Sequence, residues 1–494
     1  MSRHRLFILL VLILSGTGAS VAADPFLKVV NQTAEDYRTK AESLAQWCEK
    51  NGLMEEARTT RNQLLPSAVD KIYFPTFPKS IVSTNPPENA SELVKKWTAD
   101  WWKIRKDYAK KLQEMLGKAV RQNRGVLAMQ MTLAALHADP NNETLRNIVG
   151  LKNHKNQWRT VWEIRKLKQG YVNHETFGWI LEKHVSRYEN GERFYQGKWI
   201  TAVREQEIRS DLKVGWKIES EHYTIVTNHS LEAGVQLSRD LEDFYRAWRQ
   251  LFIRFYASSD EFSAIFQGHP SEKTPHLKVV YYRNQDDYIK DNGDDPQIEM
   301  TGGFFDLEKE CCFFFKSDNI EVQRTVYHEA THQLFTCSLN QPALSSGKWN
   351  FWVTEAIAVY MESYHKENGY YVLGGNDQER LKMAVYRAFE TEFYVPFENL
   401  VQLDIVKFQR FPRLGIGLPE DWTLSMLYSQ VGGMGHFFMH AAEGKYREVL
   451  VEYLRDVYMG YDTSDTLFEL AQTSPQALDK EYVEYLADIC KKGK

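Results

Sequence analysis

Cysteine is scarce in this chain, at five in 494 residues. That excludes a disulfide-built scaffold, and the odd number leaves at least one thiol unpaired. No two cysteines stand at zinc-ligand spacing. Cys311 and Cys312 are neighbours on a predicted strand, so their side chains face opposite ways and do not bond each other. An excess of one charge is missing too. The 61 Lys and Arg against 66 Asp and Glu leave a net charge of -5, which gives no reason to expect nucleic acid or an anionic membrane as partner. Beyond the first residues, no apolar run is long enough for a membrane helix. Aromatics are plentiful, with 13 Trp, 26 Tyr and 26 Phe. They are material for sizeable cores and speak against disorder.

The first residues follow a three-part layout. Arg3 and Arg5 carry charge, Leu6 to Leu14 is unbroken apolar sequence, and small residues lead to Ala23. Residues 1–23 therefore read as a secretory signal peptide. The mature chain is expected to be secreted or periplasmic, with no stable membrane insertion after cleavage; an uncleaved anchor is the alternative. No cysteine closes the apolar run, which argues against a lipid anchor.

The remaining length suits two or three domains. A mainly helical domain is expected over 24–212. Its first helical hairpin turns at Asn51-Gly52, and a long helix over Ser91 to Arg121 carries Trp97, Trp101 and Trp102. A second hairpin turns at Asp139-Pro140-Asn141-Asn142, much as tetratricopeptide repeats do, although no regular period joins the two. These helices could present a surface to a partner or simply pack. Gly191 to Trp199 reads as a loop or hairpin. From about Lys213 strand patterns enter, over Trp216 to Val226, His276 to Arg283, Gly302 to Phe305 and Cys311 to Phe315. Leu231 to Phe255 is an amphipathic helix between them. The fold class is thus α+β and mostly helical, with a second domain over 213–494.

That second domain holds the chemistry. His328-Glu329-Ala330-Thr331-His332 is an H-E-x-x-H motif inside an apolar segment. On a helix both imidazoles share one face and can point at one metal ion, while Glu329 can reach a water beside it. Two histidines need a third protein ligand, since zinc in a catalytic site takes three and keeps a fourth position open. Glu355 is the natural candidate, on a second apolar segment from Trp352 to Met361. A carboxylate there is costly unless something pairs with it. Glu362 returns to nearly the same face two turns later, as a partner that orients a ligand.

The two segments, H328-E-A-T-H332 and W352-V-T-E355-A-I-A-V-Y360-M-E362, resemble the gluzincin metallopeptidases. The second is similar to their W-x-N-E-G-x-A-x-Y-x-E pattern, with Thr354 for Asn and Ala356 for Gly. From about Trp216 onward the chain also resembles the peptidase-MA-like domains of secreted bacterial proteins. The resemblance implies a small sheet ahead of the zinc-binding helices, Zn2+ held by His328, His332 and Glu355, and Glu329 as general base. It also implies a downstream donor to the oxyanion. Tyr428 matches that donor by region, with His436 in reserve. Cys311 to Lys316 would lie near a sheet edge that pairs with an extended peptide or protein substrate; the same hairpin could be an edge and no more.

Thr301-Gly302-Gly303-Phe304-Phe305 stands where the alanyl aminopeptidases carry G-x-M-E-N, and it offers no carboxylate for a substrate amine. An endopeptidase is therefore expected over an aminopeptidase. The rival reading is a catalytically silent, metal-stabilised protein-binding module. The intact Glu329 speaks against it, because a structural zinc needs no base.

Overall fold

The turn Asn51-Gly52 folds α1 (Pro25–Lys50) onto α2 (Met54–Asn62), as the periodicity predicts. Pro25 opens α1, and the Asp24 carboxylate accepts the Phe26 N–H at 2.8 Å, the side-chain capping that helix starts need. This is a computed structural model; it describes residues 24–270, 275–294, 298–339, 349–412 and 422–492. Residues 1–23, read from the sequence as a signal peptide, and residues 413–421 lie outside the described residues. Among the described residues no helix is long and apolar enough to cross a membrane.

The connector after α2 holds a strand, β1 (Lys71–Phe74). Then α3 (Glu92–Arg121) and α4 (Gly125–Ala138) form a second hairpin. Helix α4 is apolar on all sides and almost wholly buried, the mark of a central helix. Its first N–H groups, on Val126 and Leu127, donate to the Glu448 carboxylate at 3.3 and 3.1 Å. That glutamate lies more than three hundred residues away in the chain.

The stretch 151–209 departs from the mainly helical reading. It contains three β-hairpins, each followed by a short helix. The strands are β2 (Lys152–His154) with β3 (Gln157–Arg159), β4 (Tyr171–His174) with β5 (Gly178–Leu181), and β6 (Glu192–Tyr195) with β7 (Lys198–Thr201). The helices are α5 (Val161–Lys168), α6 (Val185–Glu189) and α7 (Ala202–Arg209). Gly150, Gly170 and Gly191 precede the three hairpins with φ of 81, 80 and 80°, a left-handed turn that glycine adopts without strain. Trp158, Trp179 and Trp199 sit opposite Asn153, Asn173 and Phe194. The unit repeats about every twenty residues.

The predicted strands then build a five-stranded sheet. Strands β8 (Trp216–Glu219) and β9 (Tyr223–Thr227) form a hairpin, and α8 (Leu231–Leu251) packs on both. Strand β10 (Leu277–Tyr282) pairs in parallel with β9 and with β12 (Cys311–Phe315). Strand β11 (Gly303–Asp306) pairs antiparallel with β12, giving the order β11-β12-β10-β9-β8. Cys311 joins a small cluster with Tyr288 and Phe315 on one face, and Cys312 joins the main core on the other. All five cysteines are free.

The helices behind the sheet are α9 (Ile320–Cys337), α10 (Phe351–Met361), α11 (Glu379–Glu390), α12 (Leu424–His440), α13 (Arg447–Met459) and α14 (Pro475–Lys492). Between α10 and α11 lies a hairpin, β13 (His365–Glu367) and β14 (Tyr370–Gly374). Strand β1 pairs with β14 from Lys71↔Gly374 to Phe74↔Tyr371, completing a three-stranded sheet. The architecture is α+β and mostly helical. Its main apolar core takes residues from Phe26 to Leu486, on both sides of residue 213.

Candidate metal centre

Helix α9 starts at Asn319, whose side chain accepts the Glu321 N–H at 2.9 Å. Two turns later it presents His328, Glu329 and His332. Helix α10 starts differently. Asn350 is fully buried in a left-handed conformation with φ of 59°. Its amide donates to Asp462 at 2.7 Å and to the Thr463 carbonyl at 2.8 Å, and it accepts the Tyr453 hydroxyl at 2.5 Å. This polar knot fixes where α10 begins, hence where Glu355 stands. Every residue of α10 from Trp352 to Met361 is buried. On its other side the backbone is pressed by α12. A Cβ on Gly435 would lie 2.4 Å from the Ala356 carbonyl oxygen, so only glycine permits that approach.

The three predicted ligands meet. His328 Nε2 is 3.3 Å from His332 Nε2, and Glu355 Oε2 and Oε1 lie 3.5 and 3.6 Å from the two nitrogens. Tetrahedral zinc with bonds of about 2.0–2.1 Å spaces its donors about 3.3–3.4 Å apart. The donor set and its spacing therefore fit such an ion, and among the described residues no other His, Cys, Asp and Glu group does so. His328 Nδ1 bonds Glu362 Oε1 at 2.9 Å, which aims the ring's Nε2 at the triad.

The electrostatics are those of buried carboxylates gathered around two imidazoles. Burial pushes Glu329 up to about 7, with His328 opposing and Glu355 reinforcing the rise. Burial also drives His332 down to about 4. For His328 burial is overcome by its bonds to Glu355 and Glu362, which raise it. Burial raises Glu355, but His332 and His328 hold it below the usual carboxylate range. Burial likewise raises Glu362, and His328 with Arg380 outweigh it.

Other predicted residues fall at different distances from this centre. Tyr428 lies beside Glu355, and burial together with that carboxylate's charge raises its pKa, so the phenol keeps its proton. His436 instead bonds the Tyr485 hydroxyl at 2.5 Å. The sheet edge beside α9 is β11; Cys311 to Phe315 is one strand further in. Two contacts have no signature in the sequence reading. The Phe305 N–H on β11 donates to Glu329 Oε2 at 3.0 Å, and a backbone amide is invisible in side-chain patterns. Arg380 Nε on α11 donates to Glu362 Oε2 at 3.1 Å. The chain matches no protein-family model and no curated protein sequence.

Proposed function

We propose that this chain is an exported, zinc-dependent peptidase of gluzincin type that hydrolyses peptide bonds, more an endopeptidase than an aminopeptidase. The observation that carries the proposal is the triad itself: donor atoms 3.3, 3.5 and 3.6 Å apart, with a buried glutamate at the position next to His328 on the same helix. His328, His332 and Glu355 would hold the ion. Bound zinc supplies Lewis acidity toward the scissile carbonyl and makes water a nucleophile near neutral pH.

The chain's own groups do the rest. Glu329 takes the proton of the attacking water and passes it to the leaving nitrogen, the general-base and general-acid work open to a buried carboxyl group beside the ion. The Phe305 N–H holds its Oε2, leaving the other oxygen free for the proton. Tyr428 is poised at Glu355 as an O–H donor to the developing oxyanion. The outer edge of β11 offers main-chain groups to an extended peptide. Residues 1–23 supply export.

The test compares wild type with Glu329→Gln on a mixed peptide library read by mass spectrometry, alongside zinc content. The substitution should leave zinc stoichiometric and lower cleavage at least about a hundredfold. Equal cleavage by the two proteins would overturn the mechanism. Stoichiometric zinc in a wild type that cuts nothing would favour the metal-stabilised binding protein.

A further inference from the structure

We propose that Arg380 is a positioning residue for the metal centre, acting on His328 through Glu362; this rests on the zinc reading above. The two oxygens of Glu362 are divided between two partners. Oε1 accepts His328 Nδ1 at 2.9 Å, and Oε2 accepts Arg380 Nε at 3.1 Å. The Glu362 side chain is only 8% exposed, whereas that of Arg380 is 45% exposed. The guanidinium therefore brings a charge from the solvent boundary to a carboxylate that water barely reaches.

Two consequences follow. A carboxylate anchored at one oxygen by a planar, directional donor has its second oxygen fixed in space. That oxygen sets the His328 tautomer and ring plane, so Nε2 points at the ion. The second consequence concerns charge. Glu355 and Glu362 both face the His328 ring, at 3.5 and 2.9 Å. The ion would meet the charge of Glu355, and Arg380 is the cation that contacts Glu362. Further ion pairs lie nearby. Glu321 lies 3.9 Å from Arg380, and Arg324 bridges Glu321 at 2.7 Å and Glu379 at 3.2 Å. These pairs join the first turn of α9 to the start of α11.

Arg380 is half exposed and Glu362 keeps His328 as a partner without it, so losing the guanidinium costs folding little, and a structural role and a positioning role part company in the outcome. Zinc affinity is measured by competition with a chromophoric chelator for wild type, Arg380→Gln, Arg380→Lys, Arg324→Gln, Glu362→Gln and the Arg380→Gln/Glu362→Gln double variant. Melting of the metal-free proteins is followed in parallel. Arg380→Gln should weaken zinc binding about tenfold or more with melting unchanged. Arg380→Lys should fall between it and wild type. Arg324→Gln, which does not touch Glu362, should bind zinc as wild type does. In the Glu362→Gln background, Arg380→Gln should have no further effect, because it acts through that carboxylate. Wild-type zinc affinity in Arg380→Gln, or losses that simply multiply in the double variant, would overturn the proposal. A wild type without zinc would instead defeat the zinc reading beneath it.

Discussion

Replacing Gly435 by alanine puts a methyl group 2.4 Å from the Ala356 carbonyl oxygen, where ordinary contact begins at 3.4 Å. The obstacle is backbone, so no rotamer relieves it, and α12 and α10 must separate by about 1 Å, the kind of adjustment overpacked cores make. Overpacking of this kind costs about 1–3 kcal/mol. Alanine in place of glycine inside a helix returns about 1 kcal/mol. Net stability should therefore fall by only about 0–2 kcal/mol. The metal centre is far less tolerant, because ligand distances must hold within about 0.2 Å. Glu355 is the residue before Ala356 and moves with it, while its partner Tyr428 rides on α12. Zinc affinity should fall more than about tenfold, as it does when a site's supporting contacts are lost, while the melt of the metal-free protein shifts little. Chelator competition and thermal denaturation read the two quantities separately. Gly432→Ala is the matched control: its Cβ meets Val359 Cγ1 at 2.7 Å, a side-chain methyl that can give. Wild-type zinc affinity in Gly435→Ala would show that contact with α12 does not set the position of α10.

Folding stability should depend on pH through histidines kept neutral by burial. Burial drives His436 and His137 down to about 4 from 6.5 and lowers His440 well below its usual value. Such groups take up protons only when unfolded, so their contribution is complete above pH 6.5 and is lost as the pH falls toward 4. The unfolding free energy from urea titrations should drop through that interval by up to about 1.4 kcal/mol per pH unit per histidine, and a flat profile would mean these rings are hydrated. A fragment beginning at Lys213 should be insoluble. It leaves Glu448 without the α4 amides it accepts and β14 without β1. A soluble, cooperatively melting fragment would show that residues 213–494 hold a core of their own.

The two histidines of the candidate metal centre were legible because their geometry is local. His328 and His332 are four residues apart on one helix, and their spacing alone fixes a shared face. Glu355 was legible for a different reason: a carboxylate in a wholly apolar helix asks for a partner. Of the five-stranded sheet, Trp216 to Val226 announced itself by partial alternation, and the other strands by short apolar runs. What the sequence reading missed is either non-local or carried by backbone. Strand β1 is four residues long and finds its partner in a hairpin far along the chain. The Phe305 amide has no side-chain signature. Arg380 looks like any helix-surface arginine until the fold brings it to Glu362, at the end of α10. The three hairpins did carry a signal, in Gly150, Gly170 and Gly191 and in Trp158, Trp179 and Trp199. A search directed at helical hairpins passes over a period near twenty residues.

The pairing of β1 with β14 also sets an order of assembly. Lys71 and Glu367, joined by an ion pair, are 296 residues apart. As the chain is made, α1 to α4 are complete long before the strand that closes their sheet has been synthesised. Until then β1 is an open edge, with main-chain groups that any other extended segment could occupy. The apolar face of α4 waits in the same way for α13 and its Glu448. Early collapse of the first half would thus be a hazard, and the native arrangement is reached only when distant parts of the chain meet, the slow regime for non-local contacts. Holding this chain unfolded until its synthesis is finished, as transport across a membrane does, would favour its correct assembly.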